Sequence, residues 1–150
     1  MIHLMIQDRF AKEYPQELLI QTCEHALKFL GEQDTDITLV VDGDAFIQDL
    51  NRQYRGLDTA TDVLSFEMGY TDPETNRKYL GDIILSADTI ARNAAQNQVS
   101  ITEETRLLIV HGILHLLGYD HATEQEQKVM WQKQAEVIGA ILGHINGLAN

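Results

Sequence analysis

The chain has 150 residues, 44% of them apolar and 23% charged, the size and balance of one soluble domain. A domain of this size buries roughly 70% of its unfolded surface, so neither disulfides nor a structural metal is needed for folding. Eleven Lys and Arg against 23 Asp and Glu give a net charge of −12, which argues against a tight, sequence-independent grip on bare nucleic acid through a broad basic face but leaves room for a small cationic site.

The N-terminal stretch Met1 to Asp8 has no basic segment followed by a long apolar one, and the longest uninterrupted apolar run is Leu107 to Val110. A cytoplasmic protein without a signal peptide, membrane span or membrane partner is therefore expected. Two prolines, no Gly/Ser-rich linker and no internal repeat predict one domain over 1–150.

Ile2, Leu4 and Ile6 alternate with His3, Met5 and Gln7, and Ile37, Leu39 and Val41 alternate in the same way, so each segment predicts a strand with one buried face. Between them Pro15 suits the first turn of a helix whose apolar side is Leu19, Cys23, Ala26, Leu27 and Leu30, with Gly31 as its stop. Cys23, the one cysteine, reads as a buried thiol on that side. A second helix is expected from about Ala45 to Tyr54, burying Phe46, Ile47 and Leu50.

Val63 to Phe66 and Asp82 to Leu85 are short apolar runs that predict two more strands, joined by the turn-rich segment Tyr70 to Arg77. Ser86 is a good N-cap for a third helix with Ile90, Ala91, Ala94 and Ala95 inward. Ser100 with Glu103, and Thr123 with Glu126, form capping boxes for a fourth and a fifth. The order β-α-β-α-β-β-α-α-α predicts an α+β fold, one sheet of about four strands packed with about five helices.

The fourth helix turns almost wholly apolar from Leu107 to Leu117, broken only by His111, Gly112 and His115. Residues four apart stand one turn above the other, so both imidazoles share a face at a spacing that suits two ligands of one ion. Gly118 supplies the left-handed conformation that ends a helix and lets His121 return to the same point. Three neutral imidazoles leave a tetrahedral ion one open position, the mark of a catalytic rather than a closed site. Zn2+ is the first expectation, and imidazoles also accept nickel, copper and iron.

The His-x-x-x-His-x-x-Gly-x-x-His spacing is that of metzincin peptidases, but the glutamate that serves those enzymes as general base is Gly112 here. That disfavours a peptidase of their mechanism. Asp120 reads as a turn residue or as an acceptor for an imidazole N–H, His3, His25 and His144 as structural surface histidines with His144 in a fraying tail, and Trp131 as a residue packed at a helix edge in preference to a base-stacking surface.

The stretch His111 to His121, His-Gly-Ile-Leu-His-Leu-Leu-Gly-Tyr-Asp-His, resembles the signature of the YbeY family of bacterial metal-dependent endoribonucleases. Leu50-Asn51, Tyr54-Arg55-Gly56, Asp58, Thr61 to Phe66 and Gly81-Asp82-Ile83 resemble the family's other blocks. This chain has Ala60 and Glu67 where the family commonly carries prolines around the Thr-Asp-Val-Leu-Ser-Phe segment.

The resemblance implies single-strand-specific cleavage in ribosomal RNA processing, at the 3′ end of the small-subunit RNA, and a part in ribosome quality control. It implies the small ribosomal subunit as partner, with ribosomal proteins or assembly GTPases beside it, and no DNA. By the same resemblance Arg55 matches the family's functional arginine, and a planar guanidinium suits bidentate binding of phosphate and stabilisation of its developing charge. Arg52 either extends that cationic patch toward substrate or is a surface residue. The attacking group, water or the RNA 2′-hydroxyl, stays open at this level. So do two other functions, hydrolysis of a peptide or amide and a non-catalytic ribosome-assembly factor with a structural metal.

Overall fold

The computed structural model describes residues 1–145. Strand β1 (Ile2–Ile6) leads through a 3-10 turn into helix α1 (Gln16–Phe29), then β2 (Thr35–Asp42), α2 (Asp44–Arg55), β3 (Val63–Thr71), β4 (Lys78–Ser86), α3 (Ala87–Asn97), α4 (Ile101–Leu116) and α5 (Glu124–Ile145). The expected α+β order is present. The four strands form one sheet in the order β1-β2-β4-β3, with β1, β2 and β4 parallel and β3 antiparallel to β4 at the edge.

Alternation dictates which face is dry. Ile37, Leu39 and Val41 of β2 are fully buried, as are Ile83 and Leu85 of β4, and they pack under Leu19, Cys23 and Leu27 of α1, Ile90 of α3 and Ile109, Ile113 and Leu114 of α4. Cys23 is the expected buried thiol, its pKa pushed up to about 12 by desolvation and the charge of Glu24. α4 contacts β3 and β4, α1, α3 and α5, which is why its sequence is apolar nearly all round. Across the sheet, α2 alone covers a smaller cluster of Ile47, Leu64 and Ile84 with Val40 and Leu50 alongside.

Two glycines let α4 approach the sheet. A Cβ on Gly112 would stand 3.0–3.3 Å from three Ile83 side-chain atoms, and one on Gly81 (φ 153°) 2.2 Å from the Phe66 carbonyl oxygen and 2.8 Å from Leu116. Gly112 is thus a packing residue that faces the sheet, and a glutamate there would have no space.

The expected caps form. Ser86 accepts the Thr89 amide, and the Glu103 and Glu126 amides donate to Ser100 and Thr123 at 3.0 and 3.1 Å. Several expectations need correction. Phe46 is 41% exposed because the face that α2 presents to the sheet is set by Ile47, Leu50 and the buried Asn51. Ala91 and Ala95 are exposed, since α3 inserts only Ala87, Ile90 and Ala94. Trp131 is 56% exposed rather than packed, and His144 lies in the last turn of α5 against His25. β3 and β4 each extend to nine residues, well past their apolar cores.

Candidate metal centre

His111 and His115 leave the same face of α4, and the helix then ends in a reversal. The Gly118 amide bonds the His115 carbonyl and the Tyr119 amide bonds the Leu114 carbonyl, both at 3.0 Å, with Gly118 at φ 98°. This pair of bonds around a left-handed glycine is a Schellman stop. It swings Asp120 and His121 back over the helix end, where Asp120 accepts the His121 amide at 2.7 Å, the turn role expected of it.

The ligand atoms of His111, His115 and His121 lie within 4.8 Å of one another, with ring centroids 4.7, 5.1 and 5.7 Å apart. Desolvation holds the His111 and His115 pKa values below the ordinary histidine value; the Gln134 hydrogen bond opposes part of that shift at His111, while His121 lowers both and His111 lowers His115. His111 and His115 are therefore held toward the neutral form, the one that donates a lone pair to a metal.

One ring is tethered. His111 Nδ1 lies 3.1 Å from Gln134 Oε1 on α5. An amide oxygen only accepts, so Nδ1 carries the proton and Nε2 keeps its lone pair for an ion. Sequence reasoning passed over Gln134. Its signal was a polar residue on the apolar stripe of Met130, Val137 and Ile141, all buried. Donor type, convergence and tautomer all fit a divalent ion of borderline softness.

The three histidines line one side of a cleft of about 990 Å³, and Arg55, Asp62, Ser65, Phe66 and Glu67 line other parts of it. α2 delivers Arg55 because it stops there. Gly56 takes φ 69°, the Gly56 amide bonds the Arg52 carbonyl, and the following loop is held by Asn51 Nδ2 donating to the Thr59 carbonyl at 3.0 Å. Arg55 donates to the Ser65 carbonyl at 2.7 Å and lies 5.4 Å from the Phe66 ring centroid. Its charge is near enough to help depress the His115 pKa. Arg52 pairs with Asp49 at the exposed surface of α2 and is not among the cleft-lining residues. Ser65, Phe66 and Asp62 were visible as blocks in the sequence but not as walls of this cleft.

A family model described as endoribonuclease YbeY matches residues 5–141. This chain belongs to the YbeY family. It is 42% identical to the endoribonuclease YbeY of Pelotomaculum thermopropionicum over 83% of this chain and 84% of that protein. It is 46% identical to that of Treponema denticola over 75% and 74%, and 35% identical to that of Shouchella clausii over 91% and 92%. The solution structure of TM1509 from Thermotoga maritima superposes with a TM-score of 0.67 at 28% identity, covering 98% of this chain and 93% of that one. Within the family, Ala60 here lies partly buried beside the small cluster under α2, and Glu67 stands in the cleft wall at the start of a register shift in β3.

Proposed function

We infer that the cleft is the active site of a single-strand-specific, metal-dependent endoribonuclease acting in ribosomal RNA processing. The observation that carries this reading is the convergence of three imidazoles at one end of a cleft that also holds a guanidinium. His111, His115 and His121 would hold one divalent ion, zinc by ligand type with nickel second. An ion held there supplies Lewis acidity, stabilising negative charge on a phosphoryl oxygen and easing deprotonation of the attacking oxygen.

The rest is the work of the protein's own groups. Gln134 keeps the His111 proton on Nδ1. Arg55, anchored through one Nη2 bond to the Ser65 carbonyl, turns its remaining donors to the phosphate and balances charge as it grows. Arg52 lies one turn back on α2 and extends the cationic edge when its pair with Asp49 opens. In cells the small ribosomal subunit and the 3′ end of its RNA are the proposed target, with ribosomal proteins or assembly GTPases as docking partners in the cytoplasm. An acidic chain suits docking on such basic proteins better than gripping naked RNA. No described helix is long and apolar enough to cross a membrane. The whole chain is proposed to act as one domain.

Arg55 tests the reading. Arg55→Ala is expected to retain metal and fold while losing roughly 100-fold or more in cleavage rate, and Arg55→Lys to recover part of that loss. Parent-like cleavage by both variants would remove the phosphate role and favour an assembly factor with a structural metal.

A further inference from the structure

The face of the sheet opposite the main core is only half covered. α2 shields the row Val40, Ile84 and Leu64. The adjoining row, Thr38, Asp82 and Phe66, meets the last turn of α2 at Phe66 and carries aromatic rings beyond it. Phe66 meets Tyr54 edge to face at a centroid distance of 5.5 Å, and Arg55 flanks the same ring. Farther along, Tyr70 stacks on Tyr79 at 5.4 Å with planes 16° apart, while the Tyr79 hydroxyl is held by Thr38 and Asp82. Tyr54 is 67% exposed and Tyr70 57%. The pairing register separates Phe66 from Tyr70 by three residues of β4, about 10 Å along the strand.

This row opens from the cleft, because Phe66 and Arg55 belong to both surfaces. A strand whose phosphate lies between Arg55 and the histidines can leave the cleft across Phe66. Phosphate contacts along the row are few. Arg77 is tied to Asp36, Asp82 is engaged by Tyr79, and the chain as a whole is strongly acidic. What the row offers is ring faces, which bind unstacked bases of any sequence and shun paired ones.

We propose that Tyr54, Phe66 and Tyr70 form a base-stacking exit track for single-stranded RNA leaving the metal cleft, the outer ring of Tyr70 being held flat by Tyr79. The track rests on the nuclease reading above and extends it: it places the selection of single strands on the second face of the sheet, at residues outside the metal centre.

The test uses the metal-loaded full chain and a fluorescein-labelled 2′-O-methyl single strand of about 12 nucleotides, with RNA of the same sequence for cleavage. Tyr54→Ala and Tyr70→Ala are each expected to weaken binding about 5- to 150-fold with unchanged melting temperature, and Tyr→Phe at either position to restore it. The log–log salt slope should stay that of the parent in the tyrosine variants, since stacking releases no counterions, and flatten by about 0.7 in Arg55→Ala. Trp131→Ala, an exposed aromatic on α5 behind the other face, should bind as the parent does. The track is overturned if both alanine variants bind as tightly as the parent while the parent cleaves RNA in a metal-dependent way, as a face built for a protein partner would give. It is equally overturned if Trp131→Ala weakens binding as much. A parent that neither binds nor cleaves single strands would instead bring down the nuclease reading, and the track with it.

Discussion

His25 on α1 and His144 on α5 stand 4.0 Å apart, ring to ring, closer than any two rings of His111, His115 and His121. Yet His144 is exposed and His25 half-exposed, they come from two different helices, and no third donor joins them among the described residues. In the triad, two rings are fixed by one buried helix, the third by the reversal at Gly118, and one is tethered from α5. Proximity of imidazoles is therefore a poor criterion for a metal site. A rigid scaffold that aims three lone pairs at one point is the better one.

The contrast is broken most directly by removing one ring from each group. His121→Ala should lower metal affinity by more than the roughly 100-fold that losing an outer-shell partner costs at most, whereas His144→Ala should leave it unchanged. Competition titration against a chelator reads both. Equal losses would mean that the helix end does not define the site. Gln134→Ala is expected to cost about 10- to 100-fold in affinity, with Gln134→Glu recovering much of it because a carboxylate also accepts from Nδ1.

Acid should sharpen the contrast further. Protons compete with metal for imidazole nitrogen. Folding depresses the His111 and His115 pKa values, so these rings stay neutral below the ordinary histidine value. Metal occupancy should then be fully developed above about pH 6.5 and fall as pH drops through the depressed values. The His25 pKa is depressed too, by burial first and His144 next, but its titration should leave occupancy alone. Occupancy measured by dialysis at stepped pH checks this.

The smallest effects concern glycines of α4 and α5. Gly112→Ala must displace Ile83, and an overpacking cost of about 1–3 kcal/mol should outweigh a helix-propensity gain of about 1 kcal/mol. Gly139 on α5 has open space around its missing Cβ, so Gly139→Ala should stabilise by up to about 1 kcal/mol. Thermal unfolding of the two variants should shift in opposite directions.

Much of this was legible in the sequence because the physics was local. The alternation at Ile37, Leu39 and Val41, the Ser86, Ser100 and Thr123 caps, and the His111–His115–Gly118–His121 spacing each depend on a few neighbouring residues. What was hidden depended on partners far along the chain. β3 and β4 run longer than their apolar cores, and the register shifts at Glu67/Tyr70 and Asp36/Ile37 break the alternation that would reveal them. Phe46 and Ile47 look equally apolar, and only the packing of α2 on Ile84 and Leu64 decides which is buried. In the sequence Gly112 shows only the absence of a base, whereas in the fold its missing side chain makes room for Ile83. Gln134 lies 23 residues from the histidine it orients, beyond the reach of any local pattern.

The central claim is that three imidazoles hold one catalytic ion opposite Arg55. It is tested most directly on protein purified without a His tag, by metal analysis paired with cleavage of single-stranded RNA before and after chelation. The account predicts about one equivalent of divalent metal, cleavage abolished together with its removal, and cleavage restored on adding zinc or nickel back. Cleavage that persists in fully metal-free protein, or protein that carries its full equivalent of metal and leaves RNA intact, would contradict it.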